Sequence, residues 1–336
     1  MAYMNSKWFV RHRCLSYSRS RGAVLLAVLV LMMMLSFMLL SLSSVLESRL
    51  AIAQSSSQLL KDKATAYAKL QELTYLIGTQ RITRAGVSRG VNAAGLNRRD
   101  GQWTSVISGD EVRYDGYLYK GAGGLVYSLQ NEAGLIPVNN PNQTWLKRWL
   151  GAQGNDLSAT NRLADTLYDY ADADNWKRPA GAEVTDYTDA NLAAPSNFLL
   201  QSCTELHAVL GWSELIQRRP EVLSQCSLSR LSYLNINAVP VGLWQKLWPG
   251  SAQQLTQMRL EGNWFLYPED IFSIEPAMIS VPDVYYVVLG GDIIIAHVNV
   301  GKAEYMQRVQ IGTDQQPPFI VKAIPQSERT RLGSDG

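Results

Sequence analysis

No aspartate or glutamate occurs before Glu47, although the 336-residue chain holds 29 acidic residues. Histidine and cysteine are scarce: His12, His207 and His297, and Cys14, Cys203 and Cys226. The chain lacks a His-Glu-x-x-His pair, a Gly-x-Ser-x-Gly elbow and a phosphate loop, so the common hydrolase and nucleotide-binding signatures are absent and no catalytic constellation is found. Large net charge is missing too. The 31 Lys and Arg against 29 acids exclude a strongly basic nucleic-acid binder read from total charge, and an acidic disordered tail protein. With 46% hydrophobic and 18% charged residues the chain can bury a core, and its length suggests about two domains.

The charge is divided unevenly. Lys7, Arg11, Arg13, Arg19 and Arg21 stand in the acid-free leader, leaving 26 basic against 29 acidic residues in the body. Ala23 to Leu46 is an uncharged run of 24 mostly apolar residues, enough to cross hydrocarbon as a helix, which takes ~20. The positive flank precedes the run, so the N-terminus is expected in the cytoplasm and the body outside, in the periplasm for a bacterial protein. Cys203 and Cys226 then lie on the oxidising side, where an even pair can bridge; two buried free thiols are the alternative.

No Gly or Pro interrupts the chain from Ala23 to Ile77. Leu60, Ala64, Tyr67, Leu70, Leu73 and Ile77 recur at steps of three and four, predicting an amphipathic second half to one helix roughly 80 Å long, with Ser55-Ser56-Ser57 as a plausible kink. An apolar helix running into an amphipathic half that docks on a globular head resembles the type IV pilin and pseudopilin plan. Arg21-Gly22 before the apolar run resembles a prepilin peptidase site, which implies cleavage after Gly22 and a mature chain beginning at Ala23. Major pilins carry Glu at mature position five; here that position is Ala27, which favours a tip position over the shaft.

Further on, Val112 to Tyr119 and Leu125 to Leu129 predict a hairpin, as do Val284 to Leu289 and Ile293 to Val300 around Gly290-Gly291-Asp292, with Met306 to Ile311 as a further strand. The tail from Gln315 reads as polar and frayed. Thr144 to Leu150, Asn161 to Ala173, Cys203 to Leu210, Val241 to Trp248 and Ala252 to Met258 have helical spacing. Two sheet portions around a helical block predict an α+β fold: leader 1–22, long helix 23–80 with its membrane span at 23–46, sheet 81–138, inserted helical domain 139–275, and a second sheet portion with the tail, 276–336.

Within the block, Asn131-Glu132-Ala133-Gly134-Leu135-Ile136-Pro137-Val138-Asn139, the acidic run Asp169-x-x-Asp172-x-Asp174, Gly181-Ala182-Glu183 with Tyr187, Glu205-Leu206 leading to Gly211, and Asn235-Ile236-Asn237-Ala238 resemble type II secretion system protein K, a minor pseudopilin. The resemblance implies a non-enzymatic assembly subunit of the inner membrane that initiates the pseudopilus at its tip. It implies as partners the I- and J-type minor pseudopilins, the major pseudopilin, the prepilin peptidase and the inner-membrane assembly platform, with no nucleic acid.

Residues 162 to 189 hold seven acids against Arg162, Lys177 and Arg178. In a helix Asp165, Asp169 and Asp172 share a face, and like charges so spaced repel without a cation. The resemblance implies structural calcium, with Asp169, Asp172, Asp174 and Glu183 as candidate ligands; the alternative is a solvated acidic face. Two short helices around Pro249-Gly250 also suggest a helix-hairpin-helix, with Lys246 and Arg259 as the nearest bases. A packing role for this hairpin competes with a membrane-anchored periplasmic module that takes up DNA.

Overall fold

A computed structural model describes residues 21–90, 107–311 and 319–325. Met1 to Ser20, including Cys14, lie outside the described residues. The chain divides into two compact units that meet at Gln58 and Leu59.

The first unit is the start of helix α1, Arg21–Thr79. It is the one helix, among the described residues, long and apolar enough to cross a membrane. Leu25, Leu31, Phe37 and Leu46 are all exposed, as expected for side chains that meet lipid rather than protein. Ser36, Ser41 and Ser44 return their hydroxyls to carbonyls three or four residues back, which satisfies them without water. Residues 55–57 are helical, so the triple serine does not interrupt the element.

In the second unit, α1 buries Ala66, Leu70, Leu73 and Ile77. This corrects the predicted face, because Leu60, Ala64 and Tyr67 are exposed. The reason is helical phase: repeated steps of three lag behind the turn, whereas steps of four, three and four hold one stripe. Tyr67 instead sets its ring edge-on to Tyr305, with centroids 6.5 Å apart.

The stripe packs on a five-stranded antiparallel sheet. Its strands are β1 (Tyr119–Lys120), β2 (Leu125–Asn131), β3 (Ile293–Val300), β4 (Ala303–Gln310) and β5 (Phe319–Pro325), in spatial order β5-β4-β3-β2-β1. Ile294, Ala296, Val298 and Val300 alternate inward along β3 and meet the helix, giving one core. The first predicted hairpin is present: Tyr119–Lys120 pairs with β2 and Asp115 bridges to Gln130, while its far end, Val112–Arg113, pairs with Gly86–Val87. The second is corrected. Tyr286–Val287 pairs in parallel with Leu234–Asn235, and the hairpin partner of β3 is β4, joined at Gly301-Lys302. Gly301, at φ 56°, supplies the left-handed turn that the Gly290-Gly291-Asp292 signal was expected to provide. In the tail, Phe319–Pro325 is an edge strand rather than frayed; Gln315 to Pro318 lie outside the described residues.

The chain leaves the sheet at Asn131 and re-enters beside it at Ile293. Between these neighbouring strands lies a helical block with its own core. It contains α2 (Thr144–Ala152), α3 (Leu157–Ala171), α4 (Val184–Asp189), α5 (Trp212–Arg218), α6 (Val222–Gln225), α7 (Val241–Leu247) and α8 (Ala252–Leu260). Cys203–Ala208 is a 3-10 helix, shorter than predicted. Trp145, Trp149, Trp212 and Trp244 are fully buried there, and Trp248 packs edge-on to Trp145 at 5.8 Å.

Candidate functional site

Asp156 caps the start of helix α3, its side chain accepting from the Ala159 amide at 2.7 Å. The helix presents Leu163, Leu167 and Tyr170 to the core, and Asp172 caps its C-terminal end. Asp169, one turn from that end, is fully buried. Its Oδ2 accepts from the Arg178 amide at 3.1 Å. The Arg178 guanidinium lies 3.4 Å over the Tyr168 ring, with its Nε 3.8 Å from Asp169 Oδ1, beyond hydrogen-bond length. A Cβ at Gly181 would overlap the Asp169 carboxylate, so only glycine lets the returning loop lie this close.

Glu183 heads helix α4 and is 7% exposed. Its amide donates to Asp186 Oδ2 at 2.9 Å. The Glu183 carboxylate faces the Asp186 amide in a capping box, but neither of its oxygens is held at full hydrogen-bond geometry, and Asp169 Oδ1 and Asp172 Oδ1 are likewise buried without a donor. Burial is the main cause that holds Asp169, Asp172 and Glu183 above the usual carboxylate range. The second cause is mutual repulsion: Asp172 acts on Asp169, Asp174 on Asp172, and Asp169, Asp172 and Asp174 all on Glu183. The fold therefore brings together the four acids expected from the sequence. Asp174 is the most exposed of them and uses Oδ1 to accept from the Trp176 amide at 2.8 Å.

Buried acceptors without donors are costly unless a proton or a cation satisfies them. An all-oxygen donor set suits a hard cation such as calcium. Among the described residues, no three Asp, Glu, His or Cys side chains are arranged to hold one ion by themselves. The residues fit the chemistry of calcium, but the acids need other oxygens to complete its shell.

The remaining motif residues fasten the block. Asn139 pairs with the Leu200 backbone through both ends of its amide, at 2.9 Å each. Glu132 takes the Leu228 amide at 3.0 Å and the Arg308 guanidinium at 2.6 Å, joining the block to β4. Asn237 bonds Phe265 and Val288, and Gly134 approaches the Ala238 carbonyl too closely to admit a Cβ. Cys203 and Cys226 form a disulfide, with Cα atoms 6.0 Å apart. Arg259, weighed from the sequence as a phosphate contact, is buried and pairs with Asp115 at 3.0 Å, and Lys246 lies 3.4 Å from Glu221. The α7–α8 hairpin thus turns Trp244 and Arg259 inward, as packing requires. Sequence spacing missed the Asp115–Arg259 pair because 144 residues separate its members.

Residues 125–221 match the protein family described as Type II secretion system (T2SS), protein K. Among solved structures, the chain is similar to one from the GspK-GspI-GspJ complex of the enterotoxigenic Escherichia coli Type 2 Secretion System. The identity is 14% and the TM-score 0.50, over 82% of this chain and 98% of that one. At this identity the likeness speaks for the fold. Among curated proteins none matches the chain significantly.

Proposed function

We propose that this chain, a member of the type II secretion system protein K family by its residues 125–221, works as a minor pseudopilin. The observation that carries the reading is helix α1. Its apolar half is uniformly exposed, and its second half is finished on one stripe for an antiparallel sheet. The first half anchors the chain once in the inner membrane with the body in the periplasm, and later packs among other pseudopilin helices.

Cleavage after Gly22 frees Ala23 as the new N-terminus. Ala27 offers no carboxylate to a subunit above, and the block between β2 and β3 is too bulky to stack in a shaft. Both features favour the tip, where the subunit helps to start pseudopilus assembly and so the export of folded proteins across the outer membrane. The similar E. coli chain was solved with GspI and GspJ, which supports I- and J-type pseudopilins as partners of this chain. The role is mechanical rather than catalytic. Co-expression with prepilin peptidase should shorten the chain by the 22 residues up to Gly22. An unchanged intact mass of the membrane-extracted protein would overturn the reading.

Calcium is the cation this reading assigns to the acidic site. Asp169 and Glu183 would hold it, with Asp172 and Asp174 adding negative charge. Bound there, the ion neutralises the repulsion between the end of α3 and the start of α4. EDTA should lower the melting midpoint of the protein, and calcium should restore it. An unmoved midpoint would rule out structural calcium.

A further inference from the structure

The disulfide stands at the edge of the helical block, where the block faces the sheet. Cys203 and Cys226 both line a cleft of about 550 Å³. One wall is the face of the sheet turned away from α1, with Ile295, His297 and Met306. The other is the block, with Thr204, Leu223 and Ser224 beside the two cysteines. The cysteines differ in access. Cys203 is partly exposed, whereas Cys226 is 5% exposed and belongs to the core of the block. Each cation in the cleft faces an acid: Arg308 lies 2.6 Å from Glu132, and His297 lies 3.8 Å from Glu304. The cleft therefore neither strongly attracts nor strongly repels a thiolate, and access decides which sulfur reacts.

The segments joined by the bridge are also fastened without it. Before Cys203, Leu200 exchanges two hydrogen bonds with Asn139. After it, the Leu210 amide donates to the Tyr187 hydroxyl at 3.1 Å. Beside Cys226, the Ser227 carbonyl accepts from the Val138 amide at 2.9 Å, and the Leu228 amide donates to Glu132 at 3.0 Å. Breaking the S–S bond thus leaves the 3-10 helix Cys203–Ala208 and the strand Cys226–Ser227 each tied to the block, with the two sulfurs still within reach of one another.

We propose that the Cys203–Cys226 bridge is a thiol–disulfide exchange site that reacts in the folded protein, through the sulfur of Cys203, with a peptide-sized thiol that enters the cleft. The incoming thiolate attacks Cys203 Sγ. A new S–S bond joins the two, the Cys203–Cys226 bond breaks, and the electron pair leaves on Cys226, which takes a proton from water. A second thiolate then attacks the thiol's sulfur and frees Cys203, or Cys226 attacks Cys203 and restores the bridge. With the bridge open, the 3-10 helix gains freedom beside the junction where Glu132 ties the block to β4. The inference does not depend on the pseudopilin reading.

The test follows reduction of the full-length protein in detergent by reduced glutathione, with Cys14→Ser so that the bridge holds the remaining cysteines. Urea is added below the unfolding transition. Attack on the folded protein should give a rate proportional to glutathione and nearly indifferent to urea. A rate that climbs about tenfold or more per molar urea would overturn the proposal, since only the unfolded chain would then react. Peptide maps after acid quenching should place glutathione on Cys203 and a free thiol on Cys226. Glutathione on Cys226 instead would overturn the choice of sulfur. Ser224→Trp and Met306→Trp narrow the cleft from its two walls, and each should slow the reaction at least about fivefold while keeping the melting midpoint. Unaltered rates in both would rule out the cleft as the route.

Discussion

Arg259 shows how far one buried charge can reach. Its guanidinium gives 3.0 Å to Asp115 and also donates to the carbonyls of Ile236, Asn237 and Val239. Burial pushes its pKa down to about 10, against the pull of Asp115. Asp115 sits just before β1, whereas α8 belongs to the helical block, so this pair joins two parts of the chain that the sequence keeps far apart. Removing Arg259 leaves buried Asp115 with Arg113 as its remaining cation and strips the carbonyls of Ile236, Asn237 and Val239 of their donor. Arg259→Met should therefore cost about 3–5 kcal/mol, read as a lowered melting midpoint. The double variant with Asp115→Asn should lose less than the sum of the single losses, since the two share one interaction. Asn139, Asn235 and Asn237 work similarly with neutral groups, each satisfied by backbone from a distant loop. Their side chains explain why that resemblance clusters on asparagine: the amide offers a donor and an acceptor side by side.

Among the elements, α1 was the most legible. Its apolar run and the absence of Gly and Pro are local properties, and helix formation is local. The face it buries was less legible, because Leu60 and Tyr67 lie as close to the right spacing as Ala66 does. Only the sheet selects between the two stripes. The strands show the same limit: the hairpin of β1 and β2 was legible, but the partner of Val284 to Leu289 was not, since that run looks like half of a hairpin until a parallel partner claims it. The short α4 and α5 went unread because their periodicity covers barely two turns. The disulfide joins the 3-10 helix at Cys203 to the strand at Cys226, beside Ile136–Pro137. Closing that loop should contribute about 3 kcal/mol, so Cys203→Ser, or reduction, should lower the melting midpoint accordingly. A midpoint indifferent to reductant would mean that the flanking packing holds these elements without the bridge.

At the scale of the whole molecule, charge is arranged by location. The basic leader precedes the span, and residues 162–189 hold seven of the 29 acids of the body. Asp169, Asp172 and Glu183 are raised above their ordinary values of 3.8 and 4.5 by burial first. For acids raised in the folded state, the contribution to stability is complete below the ordinary range and is lost as pH rises through the raised values. In EDTA the protein should therefore gain stability from these groups as pH falls from neutral. Asp186, lowered by its hydrogen bond to Lys177, works in the opposite direction. Asp169→Asn and Glu183→Gln isolate the effect, because they should flatten the slope in EDTA. Saturating calcium should flatten it too, since protons and the ion compete for the same oxygens. A slope in EDTA that neither variant alters would show that these carboxylates do not govern it.

What the sequence by itself determined was whatever depends on neighbours in the chain: the apolar span, the position of the leader charge, the helical block between two sheet portions and the acidic run. Each rests on composition or on a period of a few residues. The tertiary structure decided which stripe of α1 is buried, which strands pair, that Arg259 is a core residue, and that Glu183 comes to lie beside the end of α3. These facts depend on burial and on contacts between residues far apart in sequence. A side chain's chemistry is set by the dielectric and the partners around it, and both exist only once the chain has closed on itself.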